Sequence, residues 1–109
     1  MKNISTAKPV SIDELEKLLN EKLNPLFQQQ RRTEVSFEIV KENNTIEIVN
    51  TEFYDDFLFR IEIEGNQIHV IKSEHYTDDV NTLTLEEILN GLFLEFPGRK
   101  NIKNIEDES

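Results

Sequence analysis

The sequence predicts an α+β fold: a four-stranded antiparallel meander with an N-terminal and a C-terminal helix packed on one face, in the order α-β-β-β-β-α. Three observations carry this expectation. Apolar residues recur at helical spacing after Ser11 and again after Thr84. Between those stretches, apolar and polar residues alternate in four short runs. Two of the gaps between runs, Asn43-Asn44 and Gly65-Asn66, have the composition of two-residue hairpin turns.

Residues 1–10, MKNISTAKPV, show no periodicity and are expected to form a flexible arm. Ser11 and Glu14 then have capping-box spacing, in which each side chain satisfies the other's free backbone N–H. Ile12, Leu15, Leu18, Leu19 and Leu23 mark one helical face, and Asp13 and Lys17 sit four apart in the favourable order. Asn24-Pro25 is expected to break or kink this helix, leaving Leu26 to Arg31 as a further short helix.

Thr33 to Val40 reads as the first strand, with Val35, Phe37 and Ile39 on one side. Thr45 to Asn50 is the second, with Ile46 and Ile48 inward. A turn centred on Asn43-Asn44 sets Ile39 opposite Ile48, so both inward sides agree. Phe57 to Glu64 is the third strand, with Phe57, Phe59, Ile61 and Ile63 inward. The Gly65-Asn66 turn sets Ile63 against Ile68, Ile61 against Val70, and Glu62 against His69 on the outer side. Ser73 to Leu83 reads as a polar loop. Thr84 and Glu87 repeat the capping-box spacing before Leu85, Ile88, Leu89, Leu92, Phe93 and Phe96, and Pro97-Gly98 stops the helix. Residues 11–97 are thus expected to be a single α+β domain, and 98–109 a polar tail.

Composition narrows the function classes. The 109 residues carry a formal net charge of −10, with 22 acidic against 12 basic residues. Phosphate repulsion makes direct nucleic-acid binding unfavourable without a basic patch, and only Arg31-Arg32 and Gly98-Arg99-Lys100 offer short ones. An anionic membrane is disfavoured for the same reason, and no stretch has membrane-spanning length. Cysteine is absent, which removes disulfides, thiolate metal sites and cysteine nucleophiles together and suits a cytoplasmic location.

The two registers leave one sheet face bare. Its expected site residues are Glu38, Glu47, Val49, Leu58, Arg60, Glu62, Glu64, His69 and Ile71, with Val49, Leu58 and Ile71 as an apolar centre bordered by acids. A charged rim around an apolar centre is the make-up of a protein-binding surface. The partner this implies is a basic protein surface, one version being that of a nucleic-acid-binding protein; complementary fields speed such encounters. The sequence therefore points to a small acidic non-catalytic binding module. One version is a phage or mobile-element inhibitor whose carboxylates mimic nucleic-acid phosphates; another is an immunity or adaptor protein of a bacterial cell. The chain is expected to be a monomer, or a homodimer paired through a sheet edge.

Catalytic signatures are sparse. Asp55-Asp56, Asp78-Asp79 and Glu74-His75 offer carboxylates and imidazole for a divalent metal, which keeps a metal-dependent enzyme as an alternative. Their spacing matches neither HExxH nor an EF-hand, and no GxSxG elbow supports a triad. Three glycines, Gly65, Gly91 and Gly98, are too dispersed for a phosphate cradle. No cofactor is implied.

Overall fold

The computed structural model describes residues 2–76, 79–95 and 102–107. It is an α+β fold with two helices and an antiparallel sheet, but the sheet has six strands. In chain order the elements are β1 (Lys2–Thr6), α1 (Ile12–Arg31), β2 (Glu38–Glu42), β3 (Thr45–Val49), β4 (Phe59–Glu64), β5 (Gln67–Lys72), α2 (Val80–Glu95) and β6 (Ile102–Asp107). The strands lie in the order β2-β3-β4-β5-β1-β6. The expected meander forms β2 to β5. The expected arm and tail instead supply β1 and β6, which extend the sheet beyond β5 in its own plane. Ile4 accounts for the arm: it pairs with Ile68 and is fully buried.

Both hairpin registers are as expected. Ile39 faces Ile48, Ile61 faces Val70, Ile63 faces Ile68 and Glu62 faces His69. Asn43 takes φ 55° and Gly65 φ 54°, the positive values that primed turns require of their first central residue. β2 begins later than expected because residues 33–37 bond to side chains rather than to a strand. The Asn24 amide donates to the Phe37 carbonyl at 2.9 Å and accepts from its N–H at 2.7 Å. Gln28 donates to Val35 O at 3.3 Å, and Asn50 to Ser36 O at 2.9 Å.

Helix α1 runs unbroken through Pro25. Pro25 removes one intrahelical donor. Leu23 and Phe27, buried on either side of it, hold both halves on the core, and Phe27 packs edge-on against Phe37 at 4.8 Å. Ser11 Oγ accepts from Glu14 N–H at 3.4 Å, as the cap spacing predicts. Asp13 meets Lys41 of β2. Helix α2 starts four residues before the expected Thr84. Asp79 Oδ2 caps it, accepting from Asn81 N–H at 2.9 Å and Thr82 N–H at 3.2 Å, while Thr84 Oγ1 donates back to Val80 O at 2.9 Å. The expected stop at Pro97-Gly98, together with Phe96 and the basic Arg99-Lys100, lies outside the described residues.

Both helices shelter the same side of the sheet. Leu15, Leu19, Leu23 and Phe27 of α1 share one core with Leu85, Leu89, Leu92 and Phe93 of α2, and with Ile4, Ile46, Ile48, Phe59, Ile61 and Ile68 of the strands. Each such side chain contributes roughly 1.5–3 kcal/mol on burial. Lysines on the strands confirm the layering: Lys41 reaches Asp13 and Glu16 of α1, Lys72 reaches Glu86 of α2, and Lys2 reaches Asn90 of α2.

Candidate protein-binding face

The reverse side of the sheet is assembled from alternate residues of the same strands. β2 contributes Glu38, Val40 and Glu42; β3 contributes Thr45, Glu47 and Val49; β4 contributes Arg60, Glu62 and Glu64; β5 contributes His69 and Ile71. Glu38, Glu42 and Glu64 are exposed, and the Glu64 side chain is 79% accessible.

Arg60 sits inside the acidic group. Its Nε lies 3.7 Å from Oε2 of Glu47, its cross-strand partner, and 3.7 Å from Oε2 of Glu62, two residues along its own strand. At that separation the guanidinium Nε attracts both carboxylates without hydrogen-bonding to either, and it has no other hydrogen-bond partner among the described residues. Two charges are thus partly matched internally, while Glu38 and Glu42 have no ion pair among the described residues. His69 Nδ1 lies 2.5 Å from Asn3 Oδ1, and its Nε2 lies 3.7 Å from Glu64, so its carboxylate neighbour is Glu64 and not the register partner Glu62.

The apolar centre is not where parity places it. Leu58 has 0% accessibility and belongs to the core. It precedes β4, and its N–H bonds the carbonyl of Ile48, the register partner of Phe59, so two successive residues address one and the alternation is broken there; its carbonyl accepts from Ser73 N–H. Val49 and Ile71 are half-buried. The exposed apolar side chain of this face is Val40, 43% accessible, on the strand at the sheet edge. Val40 lines a shallow depression of about 240 Å³ with Glu42, Asn43, Thr45, Glu47 and Arg60. Glu42 lies beyond the Val40 end expected for this strand; its parity with Val40 is the signal that places it here. Asn3 has no such signal, because its neighbours do not alternate.

Basic groups concentrate on the other side. Lys2 and Lys72 line a cavity of about 290 Å³ between sheet and α2, with Phe59, Val70, Glu86, Leu89 and Asn90. Lys41 is held by Asp13, whose hydrogen bond and charge raise its pKa.

The loop acids are largely committed to structure. Asp79 accepts from the Tyr54 hydroxyl at 2.7 Å as well as capping α2, and Asn81 Nδ2 donates to the same hydroxyl at 3.1 Å. Burial, then the hydrogen bond to Asp79, raise the Tyr54 pKa. Tyr76 stacks edge-on with Tyr54 at 4.9 Å and its hydroxyl accepts from the N–H groups of Asp55 and Asp56 at 3.0 and 3.3 Å. Asp56 Oδ2 approaches His75 Nε2 at 3.9 Å. Asp78 lies outside the described residues. Among the described residues no three His, Asp or Glu side chains gather where they could hold a metal ion.

No family model, curated protein or solved structure is significantly similar to the chain. Among the described residues no helix is long and apolar enough to cross a membrane.

Proposed function

We propose that this protein is a small acidic, non-catalytic binding module whose bare sheet face docks on a basic surface of a larger protein. The observation that carries the reading is the segregation of charge across the sheet. Glu38, Glu42, Glu47, Glu62 and Glu64 share the face opposite α1 and α2 with Arg60 and His69, whereas Lys2, Lys41 and Lys72 lie on the helix side and meet helix residues. The depression at Val40 gives an apolar foothold beside the acids. Acids on such a face raise the association rate, and the buried apolar contact slows dissociation.

The narrower version, mimicry of nucleic acid, draws support from spacing: carboxylates two residues apart on a strand, such as Glu62 and Glu64, are carried by backbone positions about 6.8 Å apart. In that version the partner binds nucleic acid at the same cleft. An adaptor or immunity role needs only the basic surface.

The test compares charge reversals of equal size on the two sides. Immobilised wild type, Glu38→Lys/Glu64→Lys and Glu14→Lys/Glu21→Lys are used to capture proteins from the native host, and the bound proteins are identified by mass spectrometry. A basic partner retained by wild type and by the helix variant, but lost by the sheet variant, supports the reading. Equal retention by all three overturns it. Displacement of the captured partner by duplex DNA separates mimicry from ordinary acidic recognition.

A further inference from the structure

Strand β2 ends the sheet. It pairs with β3 on one side and with no strand on the other among the described residues. Edge strands are usually blunted by a bulge, a proline or an inward-pointing charge. β2 has an unbroken ladder from Glu38↔Val49 to Glu42↔Thr45 and contains no proline. Its one inward-side charge, Lys41, is paired by Asp13 and Glu16 of α1 and so is not left as a free charge at the edge. Immediately before it the backbone is closed off: Asn24 takes both groups of Phe37, and Asn50 takes the carbonyl of Ser36. In β3 the Ile48 carbonyl bonds Leu58 on the β4 side, so Glu38, Val40 and Glu42 turn their backbone groups to β3 and the outward groups of β2 are those of Ile39 and Lys41.

On the bare face this edge presents acid, apolar, acid: Glu38, Val40, Glu42. The pattern argues against a second copy. Antiparallel pairing of two β2 strands about Val40 sets Glu38 of each against Glu42 of the other, and like charges directly opposite are destabilising. The same pattern suits a strand with basic residues flanking an apolar one. We propose that β2 is an acceptor edge to which an extended basic segment of the partner adds as a further antiparallel strand, its cations against Glu38 and Glu42 and its apolar side chain against Val40. This deepens the reading of the bare face and rests on it. Main-chain hydrogen bonds supply the affinity in such strand addition, and alternate side chains supply the specificity.

The probe is the peptide Arg-Thr-Val-Thr-Arg with blocked ends, together with two twins N-methylated on alternate sets of amides. Isotopically labelled protein is titrated with each and followed by NMR and amide exchange, with poly-lysine as a charge-only comparison. The expected result is slowed exchange at the Ile39 and Lys41 amides. One methylated twin weakens roughly 30-fold, for two lost hydrogen bonds, and the other binds like the parent. Binding of both twins like the parent, with shifts centred on Arg60, Glu62 and Glu64, overturns the edge and leaves the face reading standing. So does a response to poly-lysine but not to the peptide. No response to any of the probes overturns both.

Discussion

Asn24 of α1 and Phe37, just ahead of β2, are joined by a two-way hydrogen bond: the Asn24 amide donates to the Phe37 carbonyl at 2.9 Å and accepts from the Phe37 N–H at 2.7 Å. A helix side chain thus does for Phe37 what a neighbouring strand would do. It also locks the helix to the sheet one residue before the proline. Replacing Asn24 by Ala strands two backbone groups in a half-buried site. We expect a loss of about 2–3 kcal/mol, read from urea unfolding as a lower midpoint at unchanged slope.

Leu58→Ala is expected to cost about 2–5 kcal/mol, because Leu58 is fully buried. Leu58→Lys buries a charge and is expected to abolish the cooperative thermal transition. If Leu58→Lys instead melts like wild type, the side chain is on the surface and the core described here is wrong.

Truncation of residues 1–6 tests whether the N-terminal segment is an arm or a strand. β1 lies between β5 and β6, so its removal exposes Ile68 and leaves β6 without its ladder. The truncated chain is expected to lose stability by several times the roughly 2–3 kcal/mol burial of Ile4 alone, or to fail to fold. A dispensable arm predicts an unchanged denaturation midpoint.

Tyr54 gives an alkaline signature. Burial and Asp79 hold its hydroxyl protonated above the ordinary phenol value of 10.0. In the unfolded chain the group ionises near that value, so its contribution to stability is complete below about pH 10 and declines as pH rises through the folded-state value. Ultraviolet titration of the phenolates is expected to show a late-ionising tyrosine that Tyr54→Phe removes. The Asp79→Ala variant loses both the restraint and the α2 cap, at a cost of about 0.5–2 kcal/mol.

Glu62→Lys sets a second cation beside Arg60 and removes one of the two carboxylates that flank it. Both side chains are 42% accessible and so partly screened by water, and the stability change is expected to stay within about 1 kcal/mol. Partner affinity should fall more, and the wild-type complex should weaken as salt rises, since screening acts beyond about 8–10 Å near physiological ionic strength. Salt-independent binding measured by calorimetry counts against the electrostatic part.

The sequence discloses the central hairpins well because local turns fix them. Asn43 and Gly65 each set a register, and Ile39↔Ile48 and Ile61↔Val70 follow without reference to the rest of the chain. β1 and β6 have no such guide. Lys2 meets Asp107 from the far end of the sequence, and no turn residue signals that pairing. A single Ile4 among polar neighbours gives no alternation to read. Leu58 fails for a related reason: parity assumes one residue opposite one, and here Leu58 bonds the Ile48 carbonyl although Ile48 is already the register partner of Phe59. Thr84 misleads because its spacing with Glu87 is sound, but Asp79 offers a carboxylate to the chain one turn earlier. On the acidic face, Glu38, Glu47, Arg60, Glu62, Glu64 and His69 are legible from alternation alone. The burial of Leu58 is visible only in three dimensions.

The position of β1 between β5 and β6 also constrains how the molecule assembles in time. The hairpins close over a few residues, but β1 has no template until β5 exists, and β6 has none until β1 has settled beside it. Contacts between distant parts of a chain form slowly, since the intervening loop must be closed first. The sheet is thus expected to be laid from β2–β5 outward, and refolding followed by pulsed amide labelling should find Ile102–Asp107 the last strand to gain protection.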